Sequence, residues 1–196
     1  MSLVDRAKGI LINPKNEWAV IDTEPATVGS LYSGYVIPLA AIPPVASFIG
    51  WSVLGISILG FRYRIATGTA LTGAALQYVL GLAGVFVLAL IIDALAPQFG
   101  GQKNQIQALK VAAYSSTASW IAGIFLLIPS LGILAALGGL YSLYLLFLGL
   151  PIVMKSPADK ALGYTAVVVI VAIVLYVVIG MVVRGVVPYP IPGAGV

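Results

Sequence analysis

The sequence predicts an all-α integral membrane protein, five transmembrane helices preceded by a short amphipathic N-terminal segment. Three observations carry that expectation. Of 196 residues, 61% are hydrophobic and 8% charged, where a water-soluble domain carries about 25% charged residues. The mean hydropathy is +1.09. The charges are also clustered: Pro25–Phe61, Ile65–Ile92, Val111–Met154 and Ala161–Val183 contain no Asp, Glu, Lys or Arg. These runs are continuously apolar, without the alternation of a barrel strand. Hydrocarbon offers no water to backbone N–H and C=O groups, so the spans are helices. That much apolar surface also excludes disorder for the bulk of the chain.

Residues 1–31 form the amphipathic interfacial segment. Ser2-Leu3-Val4-Asp5 reads as a capping box, with Ser2 as N-cap and the Asp5 carboxylate reaching back. Leu3, Val4, Ala7, Ile10 and Leu11 then share one face, with Asp5, Arg6 and Lys8 opposite. Asn13-Pro14 ends this helix and starts another, with Asn13 capping it and Pro14 at the first helical position. Trp18 in the second helix is placed as an interfacial anchor. A cleaved signal sequence is not expected, because the apolar run starts only after these thirty residues.

Residues 32–185 form the bundle. About 20 helical residues cross a hydrocarbon core about 30 Å thick. The expected spans are Leu39–Leu59, Ala70–Leu95, Val111–Ile128, Leu131–Val153 and Leu162–Val183. A helix confined to Val45–Leu59 would cover only about 22 Å, so the first span must include Pro43 and Pro44. Those prolines remove the helical bonds to the Leu39 and Ala40 carbonyls and kink the span. As one helix, Val111–Met154 would run about 66 Å. The turn signal Pro129-Ser130-Leu131-Gly132 therefore divides it into two spans. Residues 186–196 read as an extended Pro/Gly-rich tail.

Five crossings put the termini on opposite sides. With the N-terminus cytoplasmic, the inner segments hold Arg6, Lys8, Lys15, Lys103, Lys110, Lys155 and Lys160, and the outer ones Arg62, Arg64 and Arg184. That follows the excess of Lys and Arg in cytoplasmic loops. The net charge of +4 thus reads as topology and contact with anionic lipid. No basic face suggests a nucleic-acid partner.

The ordered set of Asn13-Pro14-x-x-x-Trp18, Tyr35-x-x-Pro38, Ala41-Ile42-Pro43-Pro44 and Ile49-Gly50 resembles the opening of bacterial Yip-domain proteins. Lys110-x-x-x-Tyr114, Trp120-x-x-Gly123, Pro129-x-Leu131-Gly132, Gly139-x-Tyr141-x-x-Tyr144-Leu145, Gly149-Leu150-Pro151 and Pro157-x-Asp159-Lys160-Ala161 extend the resemblance through the later spans. The resemblance covers about residues 10–185. It implies five spans, a cytosolic N-terminus and the short prokaryotic branch of the Ypt/Rab-interacting family, hence a bacterial cytoplasmic (inner) membrane. Eukaryotic members are linked to Rab GTPases through cytosolic N-terminal regions. This chain shows no long N-terminal domain, so a Rab-like partner is not expected.

Chemistry-bearing residues are few. With no Cys and no His, thiol nucleophiles, imidazole bases and zinc-finger or haem-type ligation are excluded. No phosphate loop of the GxxxxGK[ST] type occurs, and no acid pair or metal cluster lies within the spans. Neither an enzyme nor a cofactor is expected. Asp93 and Lys110, near the ends of spans two and three, read as an interfacial ion pair or a proton or cation site. Ser115, Ser119 and Gly123 line one face of span three, suited to close helix packing or homo-oligomerisation. Tyr141 and Tyr144 lie one turn apart on span four, with Pro151 near its end. Their phenols seek hydrogen-bond partners or lipid headgroups. The expected function is organisation of membrane proteins and lipids without catalysis. The alternative is a lipid or small-solute conduit through a groove at the Pro43-Pro44 kink.

Overall fold

The computed structural model describes residues 1–58 and 61–187, by backbone alone at 56–58 and 61–63. The tail expected over 186–196 lies outside the described residues from 188 onward. Helices α1 (Leu3–Ile12) and α2 (Pro14–Thr23) open the chain. Ser2 caps α1: the Asp5 N–H donates to Ser2 Oγ (3.1 Å), and that hydroxyl donates to Asp5 Oδ2 (2.6 Å). Pro14 takes the first position of α2, although Asn13 makes no side-chain capping bond. The inner faces of the pair pack on the bundle, burying Arg6, Ala7, Ile10, Glu17, Trp18 and Ile21. The buried stripe of α1 is therefore rotated from the expected one, with Arg6 turned in and Val4 turned out.

Helix α3 (Val28–Leu54) starts and ends earlier than the expected Leu39–Leu59. A reciprocal Thr27–Ser30 capping box nucleates it ahead of the apolar run. Pro38, Pro43 and Pro44 all fall inside it, as the length argument requires. Their missing N–H groups break the regular ladder. The helix widens to π geometry at Tyr32–Val36 and Ile49–Leu54, and steps at Ala41. The neighbouring helix supplies one partner, Tyr78 donating to the Ile37 carbonyl (2.9 Å), while Tyr32 of α3 donates in the other direction to the Leu82 carbonyl (2.8 Å). Gly55, with φ +71°, ends α3 in a conformation that favours glycine. A short antiparallel hairpin follows, β1 (Ile56–Ile58) with β2 (Phe61–Tyr63), which the all-helical expectation omitted.

Helix α4 (Thr67–Leu95) is continuous and runs on as 3-10 helix through Phe99. Among the described residues, four helical stretches are long and apolar enough to cross a membrane: Val28–Leu54, Thr67–Phe99, Pro129–Val153 and Ala158–Val186. The expected span Val111–Ile128 is not among them. It is part of a broken helix: α5 (Gln105–Ser115), α6 (Thr117–Ala122), then 3-10 helix over Gly123–Leu127. Its hydroxyl run explains the break. Ser115 and Ser116 donate to the Ala112 carbonyl (3.4 and 2.8 Å), Thr117 to that of Tyr114 (2.6 Å), and Ser119 to that of Ser116 (2.8 Å). Such back-bonds satisfy carbonyls as the turn opens.

Helices α7 (Gly132–Val153) and α8 (Ala158–Val186) complete the bundle. They expose apolar side chains along their outer faces, including Ile133, Leu137 and Leu140 on α7 and Ile170, Ile173 and Val177 on α8. By contrast the middle of α5 is buried all round, from Ala108 to Ala113. At one end of the bundle Gln102 N–H donates to Met154 O (2.8 Å) and Ser156 Oγ to Phe99 O (2.9 Å). At the other end Gly50 faces the Leu126 and Leu127 carbonyls.

One close approach sets how deep α2 sits. A Cβ at Gly149 of α7 would lie 2.6 Å from the Trp18 ring. Gly149→Ala should cost about 1–3 kcal/mol through overpacking. Gly139→Ala on the same helix meets open space and should gain the few tenths to about 1 kcal/mol of helix propensity. Thermal midpoints of the detergent-solubilised variants check the pair.

Candidate functional site

Between α1, α2, the start of α3 and α5 lies a cleft of about 360 Å³, lined by Arg6, Glu24, Ser30, Tyr35, Lys110 and Tyr114 among others. Its central cation is Lys110, only 3% exposed. The ammonium donates to the carbonyls of Ile21 (2.8 Å) and Glu24. These belong to the C-terminal end of α2, where helix carbonyls lack intrahelical partners and carry partial negative charge. A lysine there satisfies the helix end and its own charge together.

Arg6 reaches the same place from α1. Its guanidinium forms ion pairs with Glu17 and Glu24 and lies over the Tyr114 ring, 5.6 Å from its centroid. Burial opposes the charged form. The hydrogen bond to Glu24 and the attraction of Glu24 and Glu17 outweigh it, holding the Arg6 pKa above its ordinary value. Tyr114 stands edge-on to Trp18 (6.4 Å) and to Tyr35 (4.7 Å). The Tyr35 hydroxyl shares a 2.7 Å hydrogen bond with that of Thr117, at the break between α5 and α6. A second set of ties fixes the end of α2. Gln107 donates to the Asp22 carbonyl and carboxylate (2.9 and 3.2 Å), and Lys155 pairs with the same carboxylate. Lys155 adopts φ +55°, an unusual value for a residue with a side chain, at the turn between α7 and α8.

The structure places the sequence-derived candidates as follows. Trp18 is fully buried against Gly149 and Tyr114, where an interfacial anchor would be partly solvated. Asp93 and Lys110 do not pair. Lys110 is held by α2, while Asp93 is 9% exposed with no hydrogen-bond partner at Oδ1, beside the Ile92 carbonyl that accepts from Tyr164. Ser119 meets span four through its N–H, which donates to Ser142 Oγ (2.9 Å), whereas the Ser115 hydroxyl turns back on its own helix. Gly123 instead meets the first span: a Cβ there would lie 2.6 Å from Pro43 Cγ. Gly123 thus packs against the kink at Pro43. Tyr141 donates to the Leu11 carbonyl of α1 (2.7 Å) and lines an apolar groove of about 470 Å³ between α6 and α7. Tyr144 tilts against it at 5.7 Å but is half-exposed. Pro151 lies inside the last turn of α7.

The sequence reading missed Arg6, Glu17, Glu24, Tyr35 and Tyr114 as members of one cluster. A signal existed for Arg6, which falls at helical spacing between Leu3 and Ile10 and so shares their stripe.

Residues 8–179 match the Yip1 domain. The chain belongs to the Yip1 domain family. The matched region runs from the middle of α1 almost to the end of α8 and contains Trp18, Glu24, Lys110 and Tyr114, whereas Arg6 lies just before it. This Yip1-domain chain is a membrane protein, as its apolar helices require. Among characterised relatives, it is similar to the inner membrane protein YohC of Escherichia coli strain K12, and equally to the YohC of strain O6:H1. Each is 28% identical over 162 residues, covering 81% of this chain and 83% of the relative. No solved structure matches it.

Removing one partner of the buried ion pair should be severe. Arg6→Met leaves the Glu17 carboxylate buried without its partner and should cost about 3–5 kcal/mol. Combining it with Glu17→Leu should restore most of that loss. A double-mutant cycle on thermal stability in detergent measures the coupling.

Proposed function

We propose that this Yip1-domain protein crosses a bacterial cytoplasmic membrane five times and organises neighbouring membrane proteins and lipids without catalysis. One observation carries the reading. The polar side chains Arg6, Glu17, Asp22, Gln107 and Lys110 tie α1 and α2 to the bundle, while α7 and α8 present long apolar faces outward. Such an object offers the bilayer a contact surface and directs its polar groups inward. Large exposed apolar faces mark lipid or protein contact.

The broken helix supports a fifth crossing. Gln105–Leu127 runs from the Lys110 ties at the end bearing α1 and α2 to the contact of Gly50 with Leu126 and Leu127 at the other. A lipid-exposed break would be costly, but α5 is enclosed by protein, where hydroxyls replace the missing bonds. The relatives' inner-membrane name and the Lys-rich end support an N-terminus inside and a C-terminus outside.

The chain lacks cysteine, so single cysteines can be introduced at Gln102 and Ser130, both exposed. An impermeant maleimide applied to intact spheroplasts should label position 130 at once and position 102 only after permeabilisation. The reverse pattern overturns the orientation, and labelling of both from one side overturns the fifth crossing. A photo-crosslinker at Leu137 or Leu140 should capture membrane proteins or a second copy of the chain. Adducts with lipid alone would remove the adaptor role.

A further inference from the structure

We propose that the cleft beneath α1 binds a zwitterionic phospholipid headgroup, its phosphate on Lys110 and its ammonium on Glu24. The inference rests on the five-crossing reading, which brings the cleft to headgroup depth. It begins with an unfilled donor on a buried ammonium. Lys110 has three N–H donors, and the Ile21 and Glu24 carbonyls take two. Among the described residues no carboxylate forms an ion pair with it. A buried ammonium without a direct counter-ion is costly, and this one lines a cleft of about 360 Å³, within the size of small-ligand sites. A phosphate oxygen would complete its bonding with a charge-assisted hydrogen bond.

The opposite charge stands at the rim. Glu24 gives one carboxylate oxygen to Arg6, and its side chain remains 41% exposed. Arg6 pairs with both Glu17 and Glu24, and the second carboxylate offsets Lys110 through space, so the cleft is not a general anion sink. One unfilled ammonium donor within and one reachable carboxylate oxygen at the rim match a headgroup carrying a phosphate and an ammonium. A singly anionic headgroup would leave Glu24 facing negative charge.

The apolar part of the lining argues for a lipid over free phosphate. Leu3, Ile21, Ala26 and Leu31 line the same cleft, and Gly34 extends it along α3 with nothing within 4 Å of where a Cβ would stand. Acyl chains leaving the headgroup would follow α3 into the bilayer past Gly34.

The experiment titrates the full chain, in detergent, with phosphatidylethanolamine, phosphatidylglycerol and inorganic phosphate, reading bound mass by native mass spectrometry and the thermal midpoint in parallel. Wild type should bind phosphatidylethanolamine about tenfold more tightly than phosphatidylglycerol, and inorganic phosphate not measurably. Gly34→Leu fills the lipid path without touching the charges and should weaken binding about tenfold at an unchanged midpoint in the absence of lipid. Glu24→Gln should erase the preference between the two lipids. Lys110→Met should abolish binding, and should it fail to fold, Gly34→Leu and Glu24→Gln decide alone. Equal binding of both lipids by wild type, undiminished binding by Gly34→Leu, or equally tight binding of inorganic phosphate would each overturn the proposal. None of these outcomes alters the labelling pattern at Gln102 and Ser130, so this failure stays separate from failure of the five-crossing reading.

Discussion

A lysine ammonium enclosed by protein must find oxygen atoms, and for Lys110 the nearest are the carbonyls at the C-terminal end of α2. That requirement positions α2 against α5, and much of the remaining geometry follows. With the end of α2 held, Trp18 one turn earlier is driven against Gly149 of α7. Glu17 beside it faces inward and needs a cation, which α1 supplies as Arg6. Asp22 is left facing Gln107 on one side and Lys155 on the other. The N-terminal pair is thus joined to two helices through charged or helix-end contacts rather than through apolar burial alone. Contacts of this kind fix one register, because a helix shifted by a residue would leave several buried polar groups unpaired.

The same constraint accounts for the character of α5. A helix carrying a buried lysine cannot face lipid, and its neighbours close around it, so that Ala108 to Ala113 are buried. Small alanines permit that close approach. Once enclosed, the helix can tolerate a break that hydrocarbon would not, since Ser115, Ser116, Thr117 and Ser119 satisfy carbonyls where the turn opens. Prolines in α3 exploit the same shelter. Gly123 packs into the step at Pro43, and Tyr78 from α4 satisfies the Ile37 carbonyl. The irregular helices α3, α5 and α6 are packed against one another and against α4 and α7, while α7 and α8 keep exposed apolar outer faces. Irregularity concentrates where protein can compensate it, and the polar cleft lies at the mouth of that irregular half.

Solvent preference is a property of composition, and so the membrane class, the helical nature of the spans, the need to carry Pro43 and Pro44 inside the first one, and the turn at Pro129 could all be read from residues alone. Capping at Ser2 and the start of α2 at Pro14 were legible for the same local reason. What composition cannot express is which distant group answers a charge. Lys110 and Asp93 lie near the same end by any count of spans, yet the bond goes to backbone carbonyls of α2, which carry no sequence signature. Arg6 looked like part of a solvated face because its partners, Glu17 and Glu24, are brought to it only when α2 folds back on α1. Trp18 resembled an interfacial anchor until a glycine on another helix made room for it. Local chemistry determined where helices start, stop and meet oil. Long-range pairing, visible only once the chain closes on itself, decided which helix could afford to break and where a polar cleft would form.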